Sequence, residues 1–291
     1  MPFVNVNETR LYYELTGDEQ NPLILQFGGS LFGRQNFGMV NDAFRQSFSL
    51  LSYDATGYGR SDAPFENYTI EAWAEEGAGL LDALGIERAL VHGTSMGGMI
   101  AIAFTAKYPE KTIAACADCA FARCDVYRRT MFANWRRTVE ALPMDEFCNL
   151  LTIQAVSATF IEDNPEIFDT VRSIVGKNSP YTVRQACLAM ETMDLQPLVP
   201  EIRRPILLTN GTRDTMTPPD LAPSGFSARQ IADAVPQWAV LHEFPAIGHA
   251  DLLECPDEAV SVVTAFFQNV LEKERRGEAL EREGAAVGAS A

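Results

Sequence analysis

Residues 89–98 have the sequence ALVHGTSMGG, in which residues 93–97 form a G-x-S-x-G pattern. The apolar run at 89–92 predicts a buried strand, and the small and apolar residues at 97–108 predict a helix that Pro109 halts. A strand-to-helix turn this sharp strains the backbone of its central residue and requires neighbours with almost no side chain, which Gly93 and Gly97 supply. We therefore expect the Ser95 hydroxyl to protrude above the edge of a sheet as a nucleophile.

Similar apolar runs recur on both sides of this pattern and predict further strands. They occupy residues 22–27, 48–54, 112–117, 205–210 and 239–244, with predicted helices at 70–84 and 257–271. Residues 3–15 predict a hairpin that turns at Asn7-Glu8. Strands that alternate with helices indicate an α/β fold with a mostly parallel central sheet flanked by helices.

The alternation fails between residues 121 and 196, where helical patterns rich in Arg, Met and Cys predominate. We expect a core domain in two parts, 1–120 and 197–271, with 121–196 inserted as a helical cap over the carboxyl edge of the sheet. Residues 272–291 are charged and then rich in Gly and Ala, which predicts a disordered tail.

Composition restricts the class of partner. Asp and Glu number 39 against 23 Lys and Arg, so the net charge is −16. This charge disfavours nucleic acid and anionic membrane surfaces, because phosphate contacts need clustered cations. No secretory signal or long apolar run is visible, which favours the cytoplasm and six free cysteines. The expected partner is a small-molecule substrate, and a homodimer stays open.

A serine needs a base that takes its proton and an acid that orients the base. The three histidines are His92, His242 and His249. His92 lies in the strand before Ser95, which favours a structural role, whereas His249 follows the last strand in a loop at the carboxyl edge. Asp214 follows the strand that ends at Asn210 and opens on the same edge. We predict Ser95 as nucleophile, His249 as base and Asp214 as acid.

These motifs resemble the α/β-hydrolase superfamily, in particular the group of 3-oxoadipate enol-lactone hydrolases, small esterases and C–C bond hydrolases. The resemblance spans about residues 3–271. Its motifs are residues 27–30 (FGGS), 54–61 (DATGYGRS), 92–98 (HGTSMGG), 210–214 (NGTRD) and Gly248-His249 with Glu254 and Pro256. It implies a Ser95–His249–Asp214 triad, a cap and no metal or organic cofactor. A serine nucleophile separates the chain from haloalkane dehalogenases and epoxide hydrolases, which use Asp at this turn.

The stabilisation of a developing oxyanion is assigned to two backbone N–H groups. Met96 N–H is expected at a helix N-terminus, where it points at the reacting oxygen. The resemblance places the second donor at Gly29. Two departures from the family pattern matter here: Phe27 replaces the usual histidine, whose hydrogen bonds must be replaced, and Thr56 replaces a frequent arginine, which puts an ion pair of Asp54 in doubt.

The expected activity is hydrolysis of a small carboxylic ester or lactone through an acyl-enzyme. Two alternatives keep the same triad, namely cleavage of a C–C bond in a vinylogous diketone and transfer of the acyl group to an alcohol or amine. A receptor that binds a ligand without turnover is a further alternative from a different class, because a fold does not fix a function.

Substrate contacts are expected from the loop after Gly29 and from the cap. Ser30 and Phe32 are candidates in the loop. On a predicted cap helix, Arg128 and Arg136 flank an apolar stripe that contains Phe132 and Trp135. One arginine could hold a substrate carboxylate, although a solvated face is the competing interpretation.

Two remaining features have ordinary interpretations. Cys116-x-x-Cys119 and Cys124 lack a nearby histidine and a second cysteine pair, so no metal site is expected. Asp118 follows a predicted strand at a position where some relatives place the triad acid. Because Asp214 fills that role, we expect Asp118 to be a loop carboxylate.

Overall fold

A computed structural model describes residues 2–282 of the chain. Within these residues the chain forms eight strands, namely β1 Phe3–Val6, β2 Thr9–Thr16, β3 Leu23–Phe27, β4 Ser49–Asp54, β5 Ala89–Thr94, β6 Thr112–Asp118, β7 Ile206–Gly211 and β8 Ala239–Phe244. They form one sheet in the order β1-β2-β4-β3-β5-β6-β7-β8. Pairing is antiparallel for β1–β2 and β2–β4 and parallel elsewhere, which confirms the predicted fold class.

The helices of the described residues are α1 Asn41–Phe44, α2 Ile70–Ala83, α3 Met96–Lys107, α4 Val126–Ala141, α5 Met144–Ala155, α6 Ala158–Asp163, α7 Ile167–Val175, α8 Pro180–Thr192, α9 Ala228–Ala234, α10 Asp251–Glu254 and α11 Pro256–Arg276. Short 3-10 turns occupy Arg34–Phe37 and Gln196–Glu201. Among the described residues, none of these helices is both long and apolar enough to cross a lipid bilayer.

Both faces of the sheet are buried. Successive residues of each strand point to opposite faces and therefore belong to two different core clusters. Ile24, Leu50 and Leu90 pack toward α1 and α11 in one core cluster. Leu25 and Val91 belong to the second cluster, which contains α2 and α3. Strands buried on both faces are apolar throughout, which explains why continuous apolar runs predicted them.

The five helices α4–α8 lie within residues 121–196, the segment predicted as a cap. We call residues 121–196 the cap. Within the cap, α4 packs against α8 and α5 packs against α7. Capping side chains define where several of these helices begin. Asp125 accepts from Arg128 N before α4, and Ser157 and Ser179 cap α6 and α8 in the same way.

The last helix is longer than predicted. The sequence indicated an end near residue 271, whereas α11 continues to Arg276 and ends at Gly277, whose φ is 67°. The first residues of the predicted tail are therefore helical, and Arg282 N donates to Gln237 O at 2.9 Å. Residues 283–291, the rest of that tail, lie outside the described residues.

The ion pair of Asp54, which Thr56 put in doubt, is present with a different partner. Asp54 pairs with Arg34 instead, with Nε 3.0 Å from Oδ1. Glu76 of α2 is left with the Thr56 backbone N–H, 3.1 Å away, and the Thr56 hydroxyl. Burial raises the pKa of Glu76 to about 7, although the hydrogen bonds from Thr56 act in the opposite direction. Thr56 and Glu76 line a cavity of about 230 Å³.

A raised carboxyl pKa means that the folded protein favours neutral Glu76, so its ionisation destabilises the fold as pH rises from about 4.5 through 7. We predict that Glu76→Gln abolishes this destabilisation, because glutamine does not ionise. The free energy of unfolding of the variant, relative to the wild type, should increase by up to about 3 kcal/mol between pH 4.5 and 8. Urea titrations at several pH values measure it.

The exposed Glu75 of the same helix provides a matched control. The free energy of unfolding of Glu75→Gln, relative to the wild type, should change little over this pH range. If the free energy of unfolding of Glu76→Gln, relative to the wild type, also does not depend on pH, the assignment of a neutral, buried Glu76 is contradicted.

Candidate active site

The turn between β5 and α3 holds Ser95 in a strained conformation, with φ of 57° and ψ of −118°. The turn is possible because its flanking residues lack side chains. A Cβ on Gly93 would lie 2.0 Å from Gly97 O, and a Cβ on Gly97 would lie 1.9 Å from Phe27 O. The Ser95 N–H donates to Asp118 O at 2.8 Å, and the serine stays partly exposed.

The three residues predicted as nucleophile, base and acid meet at the carboxyl edge of the sheet. His249 Nε2 lies 2.9 Å from Ser95 Oγ, and His249 Nδ1 lies 2.9 Å from Asp214 Oδ2. Their loops follow β5, β8 and β7, which run parallel and therefore end on the same side. One unbroken hydrogen-bond chain thus connects the carboxylate to the hydroxyl.

Asp214 is held as an ionised acceptor. Its Oδ1 accepts from Met216 N at 2.7 Å and from Thr217 N at 2.8 Å, and its Oδ2 accepts from Thr217 Oγ1 at 2.6 Å. Burial alone would raise the pKa of Asp214, but the charge of His249 and the hydrogen bonds from His249 and Thr217 hold that pKa below its ordinary value. The imidazole therefore faces a fixed negative charge.

The loop that carries His249 is anchored to the cap. His249 N and Ala250 N both donate to Ala155 O at the end of α5, at 2.9 and 3.1 Å. Glu254 Oε1 accepts from Gly248 N and from Ser157 N, each at 3.1 Å. Glu254, the glutamate of the sequence motif, therefore connects the loop of His249 to the cap.

The two predicted oxyanion donors differ in their surroundings. Met96 is the first residue of α3, so its N–H lies at a helix N-terminus, as expected. Gly29 is buried, and its N–H donates to Asn36 Oδ1 at 2.8 Å. In this conformation the second predicted donor is engaged by a side chain of the protein.

Phe27 does not reproduce the hydrogen bonds of the histidine it replaces. Its ring packs on Tyr53 and Phe104, with centroids 6.0 and 5.6 Å apart. The following loop is held by other contacts. Gly33 N donates to Gly29 O at 3.0 Å, and Asn178 Nδ2 of the cap donates to Leu31 O at 2.6 Å.

A cavity of about 450 Å³ opens on Ser95 and His249. The loop from Gly29 to Asn41 forms one wall, and apolar cap residues form much of another, namely Leu151, Val156, Ile167, Val171 and Ile174. Arg34 also lines the cavity, but its guanidinium pairs with Asp54 at 3.0 Å and Glu14 at 3.1 Å. Among the described lining residues it is the one arginine, and no lysine accompanies it.

Two of the six predicted substrate contacts line this cavity, namely Ser30 and Phe32. The prediction that a cap arginine faces it is wrong. Arg128 pairs with Asp125 at 2.9 Å and donates to the carbonyls of Thr215 and Met216, and Arg136 pairs with Glu191 at 2.8 Å. Both guanidinium groups are satisfied by the cap and its junction with the core.

Phe132 and Trp135 are also absent from the lining of the cavity among the described residues. Both are 1% exposed and pack inside the cap, with ring centroids 5.4 Å apart. Trp135 Nε1 donates to Gln154 Oε1 of α5 at 2.7 Å. Their apolar stripe therefore joins α4 to α5, because helical periodicity identifies a buried face but not the element that covers it.

The expectation for Asp118 is wrong as well. It is the last residue of β6 and 1% exposed, and its Oδ2 lies 2.5 Å from Nε2 of the buried His92. Cys116 Sγ and Thr209 Oγ1 both approach its Oδ1, at 3.0 and 2.8 Å. Burial would raise the pKa of Asp118, but His92 and these donors lower it. The structural role predicted for His92 is thus to compensate a buried charge.

The same network contains a second, neutral carboxyl group. Thr209 Oγ1 contacts Asp118 Oδ1 at 2.8 Å and Asp251 Oδ2 at 3.1 Å. A hydroxyl has a single proton, so when it donates to Asp118 it must accept from Asp251. Burial and the nearby Asp118 carboxylate accordingly raise the pKa of Asp251 well above its ordinary value.

Thr217 and Asn36 are site residues that sequence reasoning missed. Thr217 follows Asp214 by three residues, a spacing at which a hydroxyl can return to the carboxylate, so this signal was present. Asn36 had no local signal, because its contact with Gly29 depends on how the loop folds. Cys119, Asp214 and His249 have potential ligand atoms within 4.8 Å of one another, but a metal there would compete with the bond that orients the imidazole.

Comparison with known proteins agrees with this architecture. The chain is 23% identical to 3-oxoadipate enol-lactonase 2 of Acinetobacter baylyi, over 74% of this chain and 79% of that protein. It is 37% identical to a 2-hydroxy-6-oxononadienedioate/2-hydroxy-6-oxononatrienedioate hydrolase of Paraburkholderia phymatum, over 38% of this chain and 41% of that protein. The crystal structure of an enol-lactonase from Burkholderia xenovorans LB400 superposes with a TM-score of 0.83 at 25% identity, covering 92% of this chain and all of that one.

The family model for the alpha/beta hydrolase fold matches residues 21–256, which include every strand from β3 to β8 and the three residues of the hydrogen-bond chain. The protein is therefore a member of the alpha/beta hydrolase family.

Proposed function

We propose that this protein is a serine hydrolase that cleaves small, uncharged carboxylic esters or lactones through an acyl-enzyme on Ser95. The observation that carries the proposal is the hydrogen-bond chain from Asp214 through His249 to Ser95, with both distances 2.9 Å, at a cavity of about 450 Å³. A partly exposed serine bonded to an imidazole, which a buried carboxylate orients, is the arrangement that activates a hydroxyl.

In the acylation step, Ser95 Oγ attacks the carbonyl carbon while its proton moves to His249 Nε2. The carbonyl oxygen becomes an oxyanion, which accepts from Met96 N–H and Gly29 N–H. Asp214 stabilises the imidazolium. The tetrahedral intermediate then collapses, the bond between carbon and the leaving oxygen breaks, and His249 returns the proton to that oxygen.

In the deacylation step, a water molecule takes the place of the leaving alcohol. His249 accepts one of its protons as the water oxygen attacks the acyl carbon, and the same two N–H groups hold the second oxyanion. When the intermediate collapses, the proton returns to Ser95 Oγ and the carboxylic acid leaves. With a lactone substrate, acid and alcohol remain in one molecule.

The preference for uncharged substrates follows from the charges around the cavity. Arg34 is the cationic side chain among its described lining residues, and Asp54 and Glu14 neutralise it. The cap wall is largely aliphatic. A substrate carboxylate buried there would lose hydration without gaining an ion pair, which is unfavourable. The relatives are named for an enol-lactone and a dienedioate, whereas the charges around this cavity favour an uncharged substrate.

The primary test is a substrate screen of the wild type and Ser95→Ala. It uses p-nitrophenyl butyrate, an aliphatic lactone and a ring-fission dienone. We expect steady turnover of the ester or the lactone by the wild type and a loss of at least about 10³-fold in kcat for Ser95→Ala, because the nucleophile is removed. Equal activity of the two proteins would contradict the mechanism.

The other reactions open to this triad are outcomes of the same screen. Turnover of the dienone alone would identify C–C bond hydrolysis. Partition of the butyryl group to an added alcohol or amine in preference to water would identify acyl transfer. Binding of the substrates without steady turnover would indicate a receptor and overturn the proposal.

A second prediction distinguishes the roles of Asp214 and Asp118, the two buried aspartates that contact a histidine. Asp214→Asn should reduce kcat by about 10³- to 10⁴-fold, because the amide no longer stabilises the imidazolium. Asp118→Asn should leave kcat within a few-fold, but should lower the free energy of unfolding by about 3 kcal/mol, because His92 loses its partner. Steady-state kinetics and urea unfolding measure both. A large loss of kcat with Asp118→Asn, in protein that remains folded, would instead assign the acid to Asp118.

A third prediction concerns charge. The value of kcat/KM for p-nitrophenyl butyrate should exceed that for the p-nitrophenyl monoester of succinate by at least about tenfold, because only the second buries a carboxylate. Ile174→Arg, which places a cation on the cap wall, should reduce this ratio. A wild type that prefers the succinate ester would show that the cavity accepts anions.

A further inference from the structure

The Gly29 N–H, which the proposed mechanism needs for the oxyanion, is already engaged. It donates to Asn36 Oδ1 at 2.8 Å. A Cβ built on Gly29 would lie 2.9 Å from this oxygen and 3.4 Å from Ser95 Cβ, so the carboxamide lies close to the nucleophile. An N–H group has one proton, so an acceptor placed on it competes with any substrate oxygen that needs the same proton.

The orientation of the carboxamide follows from its partner. The Gly29 N–H can only donate, so the atom of Asn36 that faces it is the oxygen and not the amino group. A buried donor without an acceptor is unfavourable, and Asn36 removes that penalty while no substrate is present. The side chain oxygen therefore takes the place that the carbonyl oxygen of a substrate would occupy on Gly29.

Asn36 itself is weakly anchored. It belongs to the 3-10 turn Arg34–Phe37, lines the cavity beside Ser95 and is partly exposed. Within residues 2–282, its side chain makes no hydrogen bond besides the one with Gly29. A group that stabilises an oxyanion must be held in place before the reaction, which applies to the backbone of Gly29 and not to this side chain. Asn36 is thus better suited to leave than to act as a donor.

We propose that Asn36 occupies the oxyanion hole when no substrate is bound, which we call self-occupation, and that its carboxamide must leave Gly29 N–H before an acyl group can react. The inference rests on the proposed function, because it concerns the same oxyanion. Reaction at Ser95 then proceeds in two stages: the substrate carbonyl first displaces Asn36 Oδ1 into the cavity, and Gly29 N–H then joins Met96 N–H on the substrate oxygen.

The test compares Asn36→Ala and Asn36→Asp with the wild type. Two rates are measured, namely kcat/KM for p-nitrophenyl butyrate and the rate at which a fluorophosphonate labels Ser95. Asn36→Ala removes the competing acceptor and should increase both rates by about fivefold, which corresponds to about 1 kcal/mol. Asn36→Asp supplies an anionic acceptor that holds Gly29 N–H more strongly and repels the oxyanion, so both rates should fall by at least about tenfold.

Opposite effects of the two variants distinguish this role from a merely structural one, in which both substitutions would slow the reaction. Asn134→Ala removes an exposed carboxamide from the outer face of α4 and should leave both rates unchanged. Thermal unfolding of each variant verifies that it is folded. Reduced rates in a folded Asn36→Ala protein would overturn the proposal.

The crystal structure of the phosphonylated protein provides a direct readout. The phosphoryl oxygen should accept from Met96 N–H and Gly29 N–H, with the Asn36 carboxamide moved into the cavity. A phosphoryl oxygen bound to Asn36 Nδ2, with Gly29 N–H still on Asn36 Oδ1, would show that Asn36 is a donor and would refute self-occupation.

The two measured rates also separate this inference from the proposed function. If the wild type hydrolyses esters but Asn36→Ala labels no faster, only the self-occupation is refuted. If Asn36→Ala labels faster while neither protein turns over an ester, the self-occupation holds and ester hydrolysis is refuted.

Discussion

The close approach of three backbone segments at the turn after β5 is the constraint on which the site depends. Gly93 and Gly97 come so near to each other and to Phe27 O that a Cβ at either position would lie about 2 Å from a backbone oxygen. This contact forces Ser95 to a φ of 57° and directs its side chain away from the sheet. It also places the start of α3 next to the end of β3, so that Met96 and Gly29 line the same small pocket. The positions of Ser95 and of the two proposed oxyanion donors therefore depend on one packing contact.

The buried carboxyl groups show how the protein distributes charge in this region. Asp214 and Asp118 each have a histidine partner and a set of donors, and both have a pKa below the ordinary value despite burial. Among residues 2–282, no cationic side chain lies within hydrogen-bond distance of Asp251 or Glu76, and burial raises the pKa of both. A buried histidine thus accompanies each of these two aspartates, Asp214 and Asp118. Within residues 2–282, the pair with His249 is the one whose imidazole contacts a serine hydroxyl.

The cap contributes to the site through position and shape more than through charge. Arg128 and Arg136 are satisfied by acidic residues of the cap and, for Arg128, by backbone carbonyls of the Asp214 loop, and the wall of the cap toward the cavity is largely aliphatic. Ala155 O, at the end of α5, also accepts hydrogen bonds from the N–H groups of His249 and Ala250. The loop of His249 and the wall of the cavity are therefore attached to the same helix, α5.

Local pattern predicted the strands, the helices α2, α3 and α11, and the approach of Ser95, Asp214 and His249, but it did not predict α1, α9, α10 or the separate helices of the cap. Buried strands are apolar along their length, and each of Ser95, Asp214 and His249 follows such a strand, so parallel topology alone brings them to one edge. The contacts that pattern could not predict are those between segments far apart in the chain. Arg34 pairs with Asp54, Arg128 and Arg136 pair with acidic residues of the cap, and Asn36 accepts from Gly29 N–H. Periodicity states which side of an element is buried, whereas the partner of a long polar side chain depends on which acceptor the folded chain brings near it.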